Sequence, residues 1–279
     1  MGLIKLETKE SPKITVTHSY DTNSMLRMVR ESTPIYAISN ESYRYTTRKR
    51  LRSIGGFDKY IGLCGGGDQN IAILAFLLPN NIMKDIMLID KQDIALANFM
   101  RIADIYNNSG GSYDYDYKLR EMARGFRSMS LVYRNSLIRK PKLRTPISIT
   151  LLRADIDVFI KSVHDPAVYF IYASNALFGK GHCDGEKSVG ILNSIITNSS
   201  IRDGSVVMGL GNVGKRNAIF LRKEGTEYTV VGRDIHLKSN DFASGIPKKN
   251  FGSAFLDAVD KALPSTHARL RRLLLGFNI

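Results

Sequence analysis

Short apolar segments alternate with helical patterns through the middle of this 279-residue chain. Five of these segments are predicted strands, and they cover residues 60–64, 85–90, 147–152, 167–172 and 205–210. Helical periodicity follows the first four of them, at residues 68–78, 93–106, 156–163 and 186–197. Strands that alternate with helices form an open, mostly parallel sheet with helices on both faces. The alternation therefore predicts an α/β fold.

A hairpin is predicted after the fifth strand, where residues 218–221 and 228–231 flank a turn at Glu224-Gly225. Together these segments predict a mostly parallel, seven-stranded sheet with an antiparallel final hairpin. We expect three regions in the chain: an N-terminal extension with a basic helix at residues 1–54, a ligand-binding domain at 55–235, and a basic helical tail at 236–279. Residues 107–146, rich in Tyr, Arg and Lys, are predicted to form an inserted cap.

A glycine-rich turn joins the first predicted strand to its helix, in the sequence Gly62-Leu63-Cys64-Gly65-Gly66-Gly67-Asp68. In an open α/β sheet the ligand binds beyond the carboxyl ends of the strands, where the strand order reverses. The turn lacks the GxxxxGK[ST] pattern of nucleotide hydrolases, and a GxGxxG pattern would need a glycine at Asn70. Asp68 also disfavours a pyrophosphate, because it places a negative charge in the first helical turn. The alternative to a ligand site is a tight turn between strand and helix.

S-Adenosylmethionine suits these residues better, since it has no phosphate and carries a sulfonium and an ammonium group. Asp90 ends the second strand and would either accept hydrogen bonds from the ribose hydroxyls or cap the next helix. After the third strand, Asp155 would accept the adenine amino group, while the backbone N–H of Ile156 meets a ring nitrogen. Ser174 and Asn175 follow the fourth strand and would face the same cleft, unless they only form a turn.

With these motifs, residues 55–231 resemble a class I S-adenosylmethionine-dependent methyltransferase, which implies a Rossmann-like fold and that cofactor. Residues 89–97 are similar to betaine-lipid synthases, and residues 203–208 with 214–221 are similar to nicotianamine synthases. These two families imply transfer of a 3-amino-3-carboxypropyl group instead of a methyl group. The resemblance implies a cofactor site made of Cys64, Gly65, Gly66, Gly67, Asp68, Asp90, Lys91, Asp155, Ile156, Ser174 and Asn175.

The acceptor is predicted to be a small molecule, with the insertion at residues 107–146 as part of a lid. An amine, hydroxyl or ring-nitrogen acceptor needs a general base. The candidate bases are Glu41, Tyr43 and Tyr45 before the sheet and His182 after the fourth strand.

The net charge of +14, from 40 Lys+Arg and 26 Asp+Glu, keeps two further hypotheses open. The first is an RNA or DNA methyltransferase, whose basic segments bind phosphates and whose tyrosines stack on bases. The residues that support it are Arg44, Arg48, Lys49, Arg50, Arg52, Arg134, Arg139, Lys140, Lys142 and Arg144, with Tyr113, Tyr115, Tyr117 and Tyr133. The second is a non-catalytic binding protein with this fold. The basic segments would also suit an anionic surface.

The sequence has no apolar run long enough to span a bilayer and no signal-like leader, so a cytoplasmic protein is expected. The chain has two cysteines, Cys64 and Cys183, which cannot form a four-cysteine zinc site. No metal is expected, and the sequence leaves the oligomeric state open.

Overall fold

A computed structural model of the chain describes residues 12–31, 45–65, 67–123, 137–174, 185–210, 218–231 and 236–238. Its strands are β1 Ile14–His18, β2 Lys59–Leu63, β3 Asp85–Asp90, β4 Ile147–Arg153, β5 Tyr169–Ser174, β6 Val206–Leu210, β7 Ala218–Glu224, β8 Glu227–Val230 and β9 His236–Lys238. Its helices are α1 Thr22–Glu31, α2 Tyr45–Ser53, α3 Gly67–Leu77, α4 Asp93–Asn107, α5 Ser112–Ala123, α6 Ile156–Lys161 and α7 Gly185–Thr197. A short 3-10 helix, Leu78–Asn80, follows α3.

The strands form one sheet in the order β1-β4-β3-β2-β5-β6-β7-β8-β9. All neighbouring pairs from β1 to β6 are parallel, whereas the pairs β6–β7, β7–β8 and β8–β9 are antiparallel. This arrangement confirms the α/β class, the mostly parallel sheet and the antiparallel hairpin at its end. The predicted number of seven strands is wrong, because β1 and β9 each extend one edge of the sheet.

The edge strand β1 comes from the region that was expected to precede the sheet domain. Its five residues pair in parallel with residues 147–151 of β4. The side chain of Asn107, at the end of α4, holds the start of this strand through two hydrogen bonds with the backbone of Ile14, both 2.8 Å long. The sheet therefore includes residues well before the expected boundary at residue 55.

Helices cover both faces of the sheet. Successive residues of a strand point to opposite faces, so apolar strand residues are buried on each side. Tyr60 and Phe170 belong to an apolar cluster that also contains residues of α2, α3, α4 and α5. Ile61 and Ile171 belong to a second cluster with residues of α6 and α7. These two clusters form the core and keep the strand ends in fixed positions.

The described part of the predicted insertion completes one face of this core. Tyr115, Leu119 and Met122 of α5 are buried in the first cluster. The ring of Tyr115 meets the ring of Tyr106 edge-to-face, with 6.1 Å between their centroids. Within the described residues, no helix has the length and apolar character that crossing a membrane would require.

Candidate functional site

The glycine turn lies at the carboxyl end of β2, where the strand order reverses. From β2 the chain continues to β3 and β4 on one side, and then crosses to β5 on the other side of β2. The backbone N–H of Cys64 donates to the carbonyl oxygen of Ile89 at 3.0 Å, which keeps the start of the turn against β3. Gly66 lies outside the described residues. A cleft at this edge is the position where open α/β sheets bind their ligands.

Asp90, the last residue of β3, lies beside the glycine turn. Its carboxylate accepts hydrogen bonds from the backbone N–H groups of Gly65 and Gln92, the latter at 3.0 Å. A Cβ atom at Gly65 would lie 3.9 Å from Oδ2 of Asp90, and among the described residues other than its chain neighbours no further heavy atom lies within 4 Å of it. Burial raises the pKa of Asp90, although the backbone donors partly offset this effect. The structure thus brings together two residues that the sequence predicts for one site.

The glycines of the turn differ in what surrounds them. A Cβ atom at Gly62 would lie 2.2 Å from Oδ1 of Asn70, and one at Gly67 would lie 2.9 Å from Cδ2 of Phe99. These two glycines therefore permit close packing of strand on helix and of helix on helix. Of the residues that the structure describes, Asp90 is the one that comes within 4 Å of the Cβ position at Gly65. Of the described glycines in the turn, Gly65 is the one that leaves room for a ligand.

Cys64 and Asp68 flank this turn and are both buried. The Cys64 thiol donates to the carbonyl oxygen of Ala95 at 3.3 Å, and burial and the charge of Asp90 raise its pKa well above the usual range. The side chain of Cys64 thus faces α4. Burial is the main cause of the raised pKa of Tyr115, and the negative charge of Asp68 adds to it. The carboxylate of Asp68 therefore lies close enough to α5 to affect this buried side chain.

The residues after β4 lie next to Asp90. The backbone N–H of Ala154 donates to the carbonyl oxygen of Asp90 at 3.0 Å. Asp155 is the N-cap of α6, and its carboxylate accepts the backbone N–H of Asp157 at 3.2 Å. Ile156 is buried in the second apolar cluster. The carboxylate predicted to accept the adenine amino group thus caps α6 in this structure.

The other predicted site residues divide between described and undescribed segments. Lys91 is exposed at the end of β3. Ser174 ends β5, after an irregularity in its pairing with β6. Tyr45 is the first residue of α2. The predicted residues Glu41, Tyr43, Asn175 and His182 lie outside the described part of the chain.

A polar cluster at the same sheet edge is not among the predicted site residues. The Tyr20 hydroxyl donates to Oδ1 of Asp93 at 2.9 Å, and Nη1 of Arg153 lies 3.3 Å from Oδ2 of Asp93. Burial, together with the Asp93 carboxylate, raises the pKa of Tyr20 to about 12. Nδ1 of His18 lies 3.0 Å from the carbonyl oxygen of Tyr20. The sequence pattern offers no signal for this cluster, since it depends on β1 lying beside β4.

The described residues contain no group of three or more His, Cys, Asp or Glu side chains that could hold a metal ion. The hydrogen-bonding groups at this edge are carboxylates, backbone amides and the Tyr20–Asp93–Arg153 cluster. Such groups suit a polar organic ligand with hydroxyl and amino groups.

Comparison with known proteins finds remote structural likeness. No protein-family model matches the chain, and no curated protein matches it. Among solved structures, it is similar to a provisionally named rRNA methylase from Clostridium thermocellum, with a TM-score of 0.34 and 14% sequence identity. The match covers 64% of this chain and 76% of that one. A likeness this remote says nothing about activity.

Proposed function

We propose that this protein binds S-adenosylmethionine at the carboxyl end of β2 and transfers a group from it to a small-molecule acceptor. The observation that carries the proposal is the contact between Gly65 and Asp90. It joins the glycine turn to a half-buried carboxylate at the point where strand order reverses. An acid at this position is suited to accept hydrogen bonds from the two ribose hydroxyls of a nucleoside.

The charge at this contact suits a cationic nucleoside. Asp90 lies at the contact, and the predicted site adds Asp68 in the first turn of α3 and Asp155 after β4, while the ligand would supply a sulfonium and an ammonium group. Desolvating the Asp90 carboxylate is costly unless donors reach it, and ribose hydroxyls would add to the backbone donors already present. A phosphate at the same place would meet repulsion from these acids.

When bound, the sulfonium supplies an electrophilic carbon, and the protein supplies positioning and electrostatics. Asp90 would orient the ribose, while Asp155 and the backbone of Ile156 would hold the adenine. Either a methyl or a 3-amino-3-carboxypropyl group would be transferred. The proposed general bases are Glu41, Tyr43, Tyr45 and His182.

Calorimetry with S-adenosylmethionine tests the cofactor. We expect binding by the wild-type protein and its loss in Asp90→Ala. Asp85→Ala is the matched control, because Asp85 begins the strand that Asp90 ends and lies at the opposite edge of the sheet. Absence of binding by the wild-type protein, or equal binding by Asp90→Ala, would contradict the proposal.

The product identifies the reaction. Methyl transfer leaves S-adenosylhomocysteine, whereas aminocarboxypropyl transfer leaves methylthioadenosine, and mass spectrometry separates the two. If the cofactor binds and neither product forms with any acceptor, the protein is a binding protein with this fold.

RNA or DNA is the second candidate acceptor, and the exposed basic side of α2 favours it. Arg48 and Lys49 are exposed on this helix. The guanidinium of Arg52 lies over the ring of Phe76, 5.0 Å from its centroid, where the π-face attracts it. A gel shift with steep salt dependence would support this acceptor, and no shift at low salt would count against it.

A further inference from the structure

Helix α5 carries two large aromatic side chains on its outer surface. Tyr113 is 82% exposed and Tyr117 is 60% exposed, whereas Tyr115 between them is 0% exposed. Residues four apart in a helix share a face, so Tyr113 and Tyr117 lie one turn apart on the solvent side. The suggestion that Tyr115 also stacks on bases is therefore wrong, because helical periodicity turns it into the core.

A basic segment, residues 138–144, runs beside this aromatic face. The backbone N–H of Ile138 donates to Oδ1 of Asp116 at 2.9 Å, and that of Lys140 donates to Oγ of Ser112 at 3.1 Å. Ser112 and Asp116 directly precede the two exposed tyrosines in α5. The segment therefore borders the tyrosine face along one full helical turn.

The segment turns three cations towards solvent. Arg139, Lys142 and Arg144 are exposed, while Leu143 between them is buried. Within the described ranges, no acidic side chain forms an ion pair with any of these three cations. Lys140 differs from them, since its ammonium donates to the carbonyl oxygen of Ser109 at 2.6 Å. Lys140 is therefore engaged within the fold.

Two acids of α5 pair with cations of the helix itself. Asp114 pairs with Lys118 at 2.9 Å, and Asp116 pairs with Arg120 at 2.8 Å, each along the helix. The three exposed cations of the basic segment thus lie beside two exposed phenol rings. In the part of the chain that the structure describes, Asp114 and Asp116 do not form ion pairs with these cations.

We propose that Tyr113, Tyr117, Arg139, Lys142 and Arg144 form a binding surface for single-stranded nucleic acid. Unstacked bases would stack on the two phenol rings, and the phosphates would contact the cations. A duplex suits this surface poorly, because its bases are already stacked inside and cannot reach the rings. An anionic lipid surface would contact the same cations, so the experiments below include phosphatidylserine vesicles.

The basic end of this surface lies away from the proposed cofactor site. Arg144 comes three residues before Ile147, the first residue of β4, whereas Asp90 pairs with Arg153 at the other end of that strand. The length of β4 therefore separates Arg144 from Asp90 by about 20 Å along the strand direction. The surface would therefore anchor a strand, and its role does not depend on whether S-adenosylmethionine binds.

Fluorescence anisotropy with labelled oligouridylate and oligothymidylate tests the proposal on the full chain. We expect Tyr113→Ala/Tyr117→Ala to weaken binding by at least about fivefold for each ring removed. Tyr113→Phe/Tyr117→Phe should stay within about twofold of wild type, because phenylalanine also stacks on bases. Binding of both oligomers, or of oligouridylate alone, supports the proposal.

The cations are tested by salt dependence. Arg139→Ala/Lys142→Ala/Arg144→Ala should reduce the slope of log affinity against log salt by about two, since each phosphate contact on a single strand contributes about 0.7. The control Lys84→Ala/Lys161→Ala/Arg202→Ala removes three exposed cations elsewhere and should leave the slope unchanged. The proposal would be overturned if the tyrosine double variant and the Arg139/Lys142/Arg144 triple variant both bound the oligomers as tightly as wild type. Binding to phosphatidylserine vesicles but to neither oligomer would also overturn it.

Discussion

The hydroxyl group of Tyr60 donates a 2.8 Å hydrogen bond to Oδ1 of Asn70, and both side chains are fully buried. Nδ2 of Asn70 donates a second 2.8 Å hydrogen bond to the carbonyl oxygen of Leu63. One amide thus joins the middle of β2, the end of β2 and the first turn of α3. The shape of the glycine turn between these elements depends on it.

Tyr60 and Asn70 should therefore be energetically coupled. Asn70→Ala leaves the buried Tyr60 hydroxyl without this acceptor, which costs about 1–3 kcal/mol in the free energy of unfolding. In a double-mutant cycle with Tyr60→Phe, we expect a coupling energy of about 0.5–3 kcal/mol, measured by urea denaturation. Additive effects of the two substitutions would show that the hydrogen bond contributes nothing to stability.

Two glycines of the same turn should respond differently to alanine. Gly62→Ala places a Cβ atom 2.2 Å from Oδ1 of Asn70 and 2.8 Å from Cδ2 of Leu88, so we expect a loss of about 1–3 kcal/mol or more of stability. Gly65→Ala places a Cβ atom 3.9 Å from Oδ2 of Asp90, an ordinary van der Waals contact, and should leave stability nearly unchanged. The added methyl group would instead weaken S-adenosylmethionine binding. Thermal melts and calorimetry on both variants separate these effects.

Asp90 should cost stability at neutral pH. Burial raises its pKa above the ordinary value of 3.8, so the folded state binds a proton more readily than the unfolded state does. The stability that the protonated Asp90 contributes is fully present below pH 3.8 and is lost as the pH rises through the raised pKa. Asp90→Asn should therefore unfold at higher urea than wild type at neutral pH, and the difference should shrink on acidification. A variant less stable than wild type at neutral pH would contradict this.

Lys223 should stabilise the end of α7. Its buried ammonium donates to the carbonyl oxygens of Ile195, Asn198 and Ile201, at 3.1, 2.9 and 2.6 Å. The carbonyl of Ile195 lies in the last turn of the helix, where carbonyls lack intrahelical donors and carry the negative end of the helix, whereas that of Asn198 also accepts the backbone N–H of Ile201 at 3.1 Å. Lys223→Met should therefore lose about 1–3 kcal/mol for each buried carbonyl left without a donor, measured by urea unfolding.

The same lysine predicts a pH dependence. Burial lowers the pKa of Lys223 below 10.5, so the unfolded state binds a proton more readily between the lowered pKa and that value. Wild-type stability should therefore rise with pH in this alkaline window. Lys223→Met should lack this part of the rise, and parallel curves for the two proteins would contradict the assignment.

Local sequence patterns were sufficient to place most helices and strands. Two predicted site residues also lie close together, since Gly65 follows one predicted strand and Asp90 ends the next, and these strands pair in parallel. Carboxyl ends of neighbouring parallel strands meet at one edge, so the order of elements alone brings such residues close.

Other features could not be read from local pattern. β1 pairs with β4, more than a hundred residues later, and this pairing creates the contact between Tyr20 and Asp93. Gly67 looks like a ligand-binding glycine in sequence, yet α4 packs against it. Each of these outcomes depends on which elements become neighbours in space.

The sequence by itself determined the alternation of strands and helices, because burial periodicity is a local property of the chain. It also determined that a glycine turn and Asp90 would share one sheet edge. Only the tertiary structure decided that Tyr115 joins the core while Tyr113 and Tyr117 face solvent beside a basic segment. The physical reason is packing: the contact of α5 with α4 determines which face of α5 is buried.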